Sequence, residues 1–186
     1  MKLYLDIDGV LLHTKEDKAA EHAAELIEYI TSEFDCYWLT THCKGDTEHA
    51  VKYLSEYFQK DIVEKLSKIK PTYWETLKTE AIDFDSNFIW LEDYPFQAEK
   101  EVLRNFAASE SLYTVDLNRD NELSNVLEYL KGIKAKRRNR RMVVLSIILT
   151  LILFIIVTKG VWMEVANRTL VTSQQKRKIF LCAGTI

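Results

Sequence analysis

The sequence predicts an α/β domain, a Rossmann-like parallel sheet with helices on both faces, followed by a C-terminal hydrophobic helix. Three observations carry this. Short apolar runs alternate with longer stretches of helical period through residues 1–133. Five Gly and two Pro in 186 residues are too few for the many tight turns of a sandwich. From Met142 to Val157 no residue is charged, and only Ser146 and Thr150 are polar. The chain is 47% hydrophobic, with nine Tyr, eight Phe and four Trp, so a substantial core is available.

The elements follow in chain order. Residues 3–5 form a first apolar strand, and 18–34 (KAAEHAAELIEYITSEF) space their apolar positions as a helix does. Residues 36–39 are a second strand. A second amphipathic helix covers 47–58, capped by Asp46 or Thr47. Residues 61–78 are helical in pieces, interrupted at Pro71. A third strand covers 88–91, a helix 96–108, a strand 112–115 and a closing helix 121–131. Strands that alternate with helices pair in parallel, with the helices covering the sheet. No internal repeat and no low-complexity stretch interrupts this half.

The charge is divided unevenly. Residues 134–186 hold eleven Lys and Arg against one acid, Glu164, so the first 133 residues are strongly acidic. An acidic domain repels a nucleic-acid backbone, and no nucleic-acid partner is expected. The segment KAKRRNRR, 134–141, puts six positive charges in eight positions directly before the apolar run. A bilayer core takes about 20 apolar residues. Thr158 and Gly160–Met163 extend the run past Lys159, which can snorkel, and Trp162 suits the interface. The expected organisation is therefore a domain at 1–133, a basic linker at 134–141, a transmembrane helix at 142–163 and a short basic tail at 164–186. The basic linker places the N-terminal domain on the cytoplasmic side of a single-pass protein. Lys176, Arg177 and Lys178 in the tail pull against that orientation, and a soluble cytoplasmic protein is the alternative. Cys36, Cys43 and Cys182 have no paired spacing, which suits a reducing compartment and gives no zinc signature. Asp6 and Asp8 interrupt the first apolar run, which excludes a secretory signal there.

Functional groups of a parallel sheet collect at the carboxyl ends of its strands. The first strand runs into Asp6, Ile7, Asp8 and Gly9. The second ends in Thr40 and Thr41, and the third in Glu92 and Asp93. A lysine-bearing segment, PTYWETLKTEAIDF, lies between the last two. This order resembles the haloacid dehalogenase-like (HAD) superfamily of phosphohydrolases over residues 1–130. Asp6-Ile7-Asp8-Gly9-Val10 resembles that family's first motif and Thr40 its second. Lys78, or else Lys70, resembles the third, and Glu92-Asp93 the fourth, with Glu where Asp is more usual. DxDGV after an N-terminal strand is fairly specific, whereas a lone Thr or Lys is not.

The resemblance implies a phosphatase with an aspartyl-phosphate intermediate. Asp6 is then the nucleophile, and Asp8 protonates the leaving oxygen and later activates water. Gly9 frees the turn that re-aims Asp8. Mg²⁺ is the implied cofactor, held by Asp6, the backbone carbonyl of Asp8 and an acid from Glu92 or Asp93. The Thr40 hydroxyl, with Thr41 as the alternative, and the Lys78 ammonium hold the phosphoryl oxygens, and Gly9 borders the substrate.

Neither the stretch from Asp6 to Thr40 nor that from Thr40 to Lys78 has room for a large cap, so an open site and a bulky or macromolecular phosphate ester are expected. His42, Cys43 and His49 match no common zinc spacing and read as a loop and a helix face. Trp74 and Tyr94 are candidates for the rim of the substrate opening. Two other functions remain open: a catalytically silent HAD-like binding or scaffold module at the membrane, and a nucleotidase.

Overall fold

A computed structural model describes the backbone of residues 1–182, and the side chains of residues 1–159 apart from Leu153, Ile156 and Val157. The chain divides into two units, Met1–Lys131 and Gly132–Ile186.

The first unit is α/β. Four parallel strands, β1 (Lys2–Leu5), β4 (Asp35–Trp38), β5 (Phe88–Glu92) and β6 (Leu112–Thr114), form one sheet in the order β4-β1-β5-β6. β2 (Leu12–His13) and β3 (Lys18–Ala19) make a separate antiparallel hairpin. The helices are α1 (Ala23–Glu33), α2 (Thr47–Leu54), α3 (Lys60–Leu66) and α4 (Gln97–Asn105), and α5 is helical from Glu122 to Cys182. This arrangement is compatible with the Rossmann-like expectation.

Every residue of β5 is buried, as are Leu3, Tyr4 and Leu5 of β1, so both faces of the central strands are covered. Such strands read as continuous apolar runs rather than alternating ones. Tyr4, Phe88 and Trp90 pack with Leu103 of α4 and Ile82 in one cluster. On β1, Leu3 and Leu5 alternate with Tyr4 and so face the other side. Each fully buried Leu or Ile contributes about 1.5–3 kcal/mol.

The chain enters at β1, adds β4 on one side through α1, then returns to add β5 on the other side. The order therefore reverses at β1. In open parallel sheets the crevice outside the carboxyl ends at such a reversal receives ligands. Asp6 is the first residue past β1.

Five expectations change. The helix expected over 96–108 ends at Asn105, ahead of the left-handed Ala107 (φ 52°). Residues 18–19 belong to the hairpin, and the helix begins at Ala23 rather than at 18. Asp17 and His22 adopt left-handed backbone (φ 48° and 63°), which interrupts the helical period between them. Past Leu66 the segment 61–78 leaves the helix. Lys70 instead bridges to Tyr37 beside β4, and Lys78–Ala81 is a 3-10 turn. The second helix stops at Leu54 rather than at 58. Its cap is Asp46, whose carboxylate accepts from the Glu48 N–H. The closing helix continues beyond 131.

In the second unit, all described apolar side chains from Met142 to Ile155 are exposed. The expected membrane span, 142–163, runs onto residues whose side chains lie outside the described set, as do those of the whole expected tail, 164–186. Among the described residues no helix is long and apolar enough to cross a membrane.

Candidate active site

Asp6, Glu92 and Asp93 come together where β1 and β5 end side by side. Leu5 pairs with Leu91, and the Asp6 N–H donates to the Leu91 carbonyl at 3.1 Å. One carboxylate oxygen from each acid lies within 4.8 Å of the others. Asp6 and Glu92 are buried, at 6% and 3% exposure. Lys78 reaches in from its 3-10 turn, and its Nζ lies 2.7 Å from both Asp6 Oδ2 and Glu92 Oε2. The second Asp6 oxygen accepts from the Ile7 N–H at 2.8 Å.

The electrostatics follow from burial and charge count. Three acids share one lysine, so Lys78 offsets only part of their negative charge. Burial, reinforced by the Asp6 carboxylate, pushes the Glu92 carboxyl up to about 8. Burial, with Asp6 again, raises Asp93. Burial alone would lower Lys78, but the Asp6 and Glu92 carboxylates outweigh it and raise it.

Gly9 serves the cluster by having no side chain. Its backbone is left-handed (φ +72°), and a Cβ built there would lie 2.0 Å from Asp93 Oδ2. Asp93 therefore packs directly over the turn that follows β1.

Asp8 faces elsewhere. Its Oδ2 lies 2.7 Å from His42 Nε2, and its Oδ1 accepts from the Tyr53 hydroxyl at 3.4 Å. Asp8 and His42 side chains are about a third exposed, at 33% and 31%. Thr40 is fully buried at the end of β4, the neighbour of β1, and its Oγ1 accepts from the His42 N–H at 3.4 Å. Thr41 is exposed. It lines a different cleft, with His42, Lys44 and Tyr53, rather than the one beside Gly9 and Asp93.

The choice between the two lysines follows from position. Lys70 pairs with Asp35 at the first residue of β4, the opposite end of the strand from Thr40. Lys78 is the lysine on Asp6. Both Glu92 and Asp93 belong to the acidic cluster, and only Glu92 bonds to Lys78.

A cleft of about 430 Å³ opens beside Gly9 and Asp93. The hairpin loop, His13–Glu16, and residues 114–119 wall it, and Tyr94 stands at it, 76% exposed. Between β1 and β4 the chain builds only the small hairpin and α1, with no separate cap. Trp74 instead packs against the core cluster, with Lys44 Nζ 4.8 Å from its ring centre.

Two supporting residues carried no signal in the sequence. Glu99 is 2% exposed; one oxygen accepts from the Lys78 N–H at 2.9 Å and the other from the Phe96 N–H at 2.8 Å. It ties the first turn of α4 to the lysine-bearing turn. His42, read from sequence as part of a loop, is the partner of Asp8.

No family model matches the chain, and neither a curated protein nor a solved structure matches it.

Proposed function

We propose that the first unit is a Mg²⁺-dependent phosphatase of HAD-like type that works through an aspartyl-phosphate, and that the second unit attaches it to a membrane. One observation carries the enzymatic reading: a buried aspartate at the reversal point of a parallel sheet, held between a lysine and two further acids.

The donor set suits a hard cation. All its ligand atoms are carboxylate oxygens, and they hold more negative charge than Lys78 offsets. Asp6, Glu92 and Asp93 would hold Mg²⁺, with the Asp8 carbonyl as a further donor. Bound there, Mg²⁺ supplies positive charge that lets an anionic phosphate approach an anionic nucleophile.

The chain's own groups do the rest. An Asp6 oxygen forms a bond to phosphorus as the bond to the ester oxygen breaks. Asp8 gives its proton to that leaving oxygen. It then takes a proton from the water that attacks phosphorus, which releases inorganic phosphate and restores Asp6. Lys78 and the Thr40 hydroxyl offset charge on the phosphoryl oxygens. The uncapped cleft favours a bulky or macromolecular phosphate ester as substrate.

The membrane reading draws on the six basic residues of 134–141 and on the exposed apolar side chains from Met142 to Ile155. A helix apolar all round is stable when buried in protein or in lipid. The first unit would then face the cytoplasm.

The test is phosphate release from an aryl phosphate by the full chain in detergent, with Mg²⁺ or with chelator, beside Asp6→Asn. Release that needs Mg²⁺ and disappears in Asp6→Asn is the expected result. Mg²⁺ binding without release from any ester would instead favour a silent scaffold module. A preference for nucleoside monophosphates over aryl phosphates would make the enzyme a nucleotidase.

A further inference from the structure

The contacts of Asp8 form a built arrangement rather than a solvated turn. His42 Nε2 lies 2.7 Å from Asp8 Oδ2 across 34 positions of sequence. The imidazole stacks on Tyr53 of α2, with ring centres 4.3 Å apart and planes 10° from parallel. The Tyr53 hydroxyl reaches the other Asp8 oxygen. Tyr57 meets Tyr53 edge-on at 5.5 Å, and its own hydroxyl bonds to Asp17 beside β3. From below, the Thr40 hydroxyl oxygen accepts from the His42 N–H, and the Cys43 N–H donates to the Thr40 carbonyl, which closes the turn that aims the ring. Three elements thus converge on one carboxyl group: the turn after β4, helix α2 and, through Tyr57, the hairpin.

We propose that His42 is a positioning residue for Asp8. It holds the carboxyl group turned away from the Asp6 cluster, where it can reach the leaving oxygen of a phosphate ester, and Tyr53 holds His42. This rests on the phosphatase reading and adds a residue to its acid–base half. A partly exposed carboxylate three residues past the end of β1 would otherwise be free to swing in solvent. A proton donor displaced by about 1 Å can lose roughly a hundred-fold in rate.

The role has a signature that a structural one lacks. An aryl ester departs as a stabilised phenolate and needs little help from an acid, whereas an alkyl ester needs a proton on its leaving oxygen. Removing His42 should therefore weaken alkyl-ester hydrolysis selectively.

The experiment measures kcat/KM of the full chain with p-nitrophenyl phosphate and with a simple alkyl phosphate, for the native protein, Asp8→Asn, His42→Ala and His42→Gln. His42→Ala is expected to lose roughly ten- to hundred-fold on the alkyl ester and less than about three-fold on the aryl ester. His42→Gln, whose amide can still donate to Asp8, should recover most of the loss. An equal loss on both esters, or none, overturns the proposal. Nitrogen NMR of the His42 ring in native protein and in Asp8→Asn separates this proposal from its parent. A ring signal indifferent to Asp8→Asn overturns the pairing itself, whatever the activity. Native protein that releases no phosphate from either ester, while the ring signal responds, overturns the catalytic role proposed for the pair and leaves the pairing itself intact.

Discussion

Asp6 and Asp8 stand two positions apart, yet the fold gives them opposite surroundings. Asp6 is 6% exposed, sits on the last hydrogen bonds of the sheet and shares Lys78 with Glu92. Asp8 is a third exposed and shares its oxygens between a histidine and a tyrosine from outside the sheet. The turn at Ile7–Gly9 separates them. The Val10, Leu11 and Leu12 N–H groups all donate to the Ile7 carbonyl, and Gly9 takes the left-handed conformation. Two carboxylates that a regular strand would place on one face are sent to different surroundings. A charge buried beside other charges is fixed by pairing, whereas a half-exposed one is fixed by packing.

The comparison breaks most visibly on the Asp6 side. Lys78→Met should destabilise the fold by about 3 kcal/mol, because it leaves the buried Asp6 carboxylate without its cation and Glu92 without its hydrogen-bond donor. Urea unfolding in chelator measures it. Saturating Mg²⁺ should return part of the loss, since a ligand of the folded state stabilises it by mass action.

The next effect is a pH dependence. Glu92 in the fold holds its proton up to about 8, against 4.5 as the ordinary value. Between those limits the folded state binds a proton that the unfolded chain has released. Stability in chelator should therefore fall as pH rises through this window and level off above it. Glu92→Gln should flatten the slope, and so should Mg²⁺. A slope unchanged by Glu92→Gln would assign it to another group.

Much of this was legible in the sequence, for physical reasons that differ by residue. The four sheet strands fall within about a residue of their expected ends because buried parallel strands need unbroken apolar runs. Asp6 and Glu92 were visible because acids at strand ends break those runs, whereas Lys78, on a 3-10 turn between strands, stood out only through the order of the motifs. The hairpin at Leu12–Ala19 was hidden, since KAAEHAAEL keeps a helical period that the left-handed Asp17 and His22 override. Glu99 and His42 were hidden for another reason. Each acts through a contact made at long range, to Lys78 across 21 positions and to Asp8 across 34. A single sequence records such partners only as ordinary helix and loop residues. In the second unit the apolar run was equally plain in the sequence, and its described side chains from Met142 to Ile155 are exposed.

Gly9 offers a smaller and sharper test of the turn. Gly9→Ala should cost about 1–2 kcal/mol for the left-handed backbone alone. Its Cβ would also strike Asp93 and displace that carboxylate. Mg²⁺ affinity, read by calorimetry, should therefore fall by more than the stability loss explains, while the His42 ring signal stays with Asp8. Loss of both together would mean that the turn positions the two aspartates as one unit.

The smallest expected effect lies on the Asp8 side and completes the contrast. His42→Ala should change unfolding stability by less than about 0.5 kcal/mol, because both partners are partly in water and solvent replaces what the ring supplied. Urea unfolding beside Lys78→Met compares the two directly. A loss approaching that of Lys78→Met would show that the stack on Tyr53 holds α2 to the sheet, and that the Asp8 side, like the Asp6 side, is part of what keeps the domain folded. A negligible loss, together with selective damage to alkyl-ester hydrolysis, would separate the two carboxylates by what depends on each: folding and metal affinity on Asp6, leaving-group protonation on Asp8.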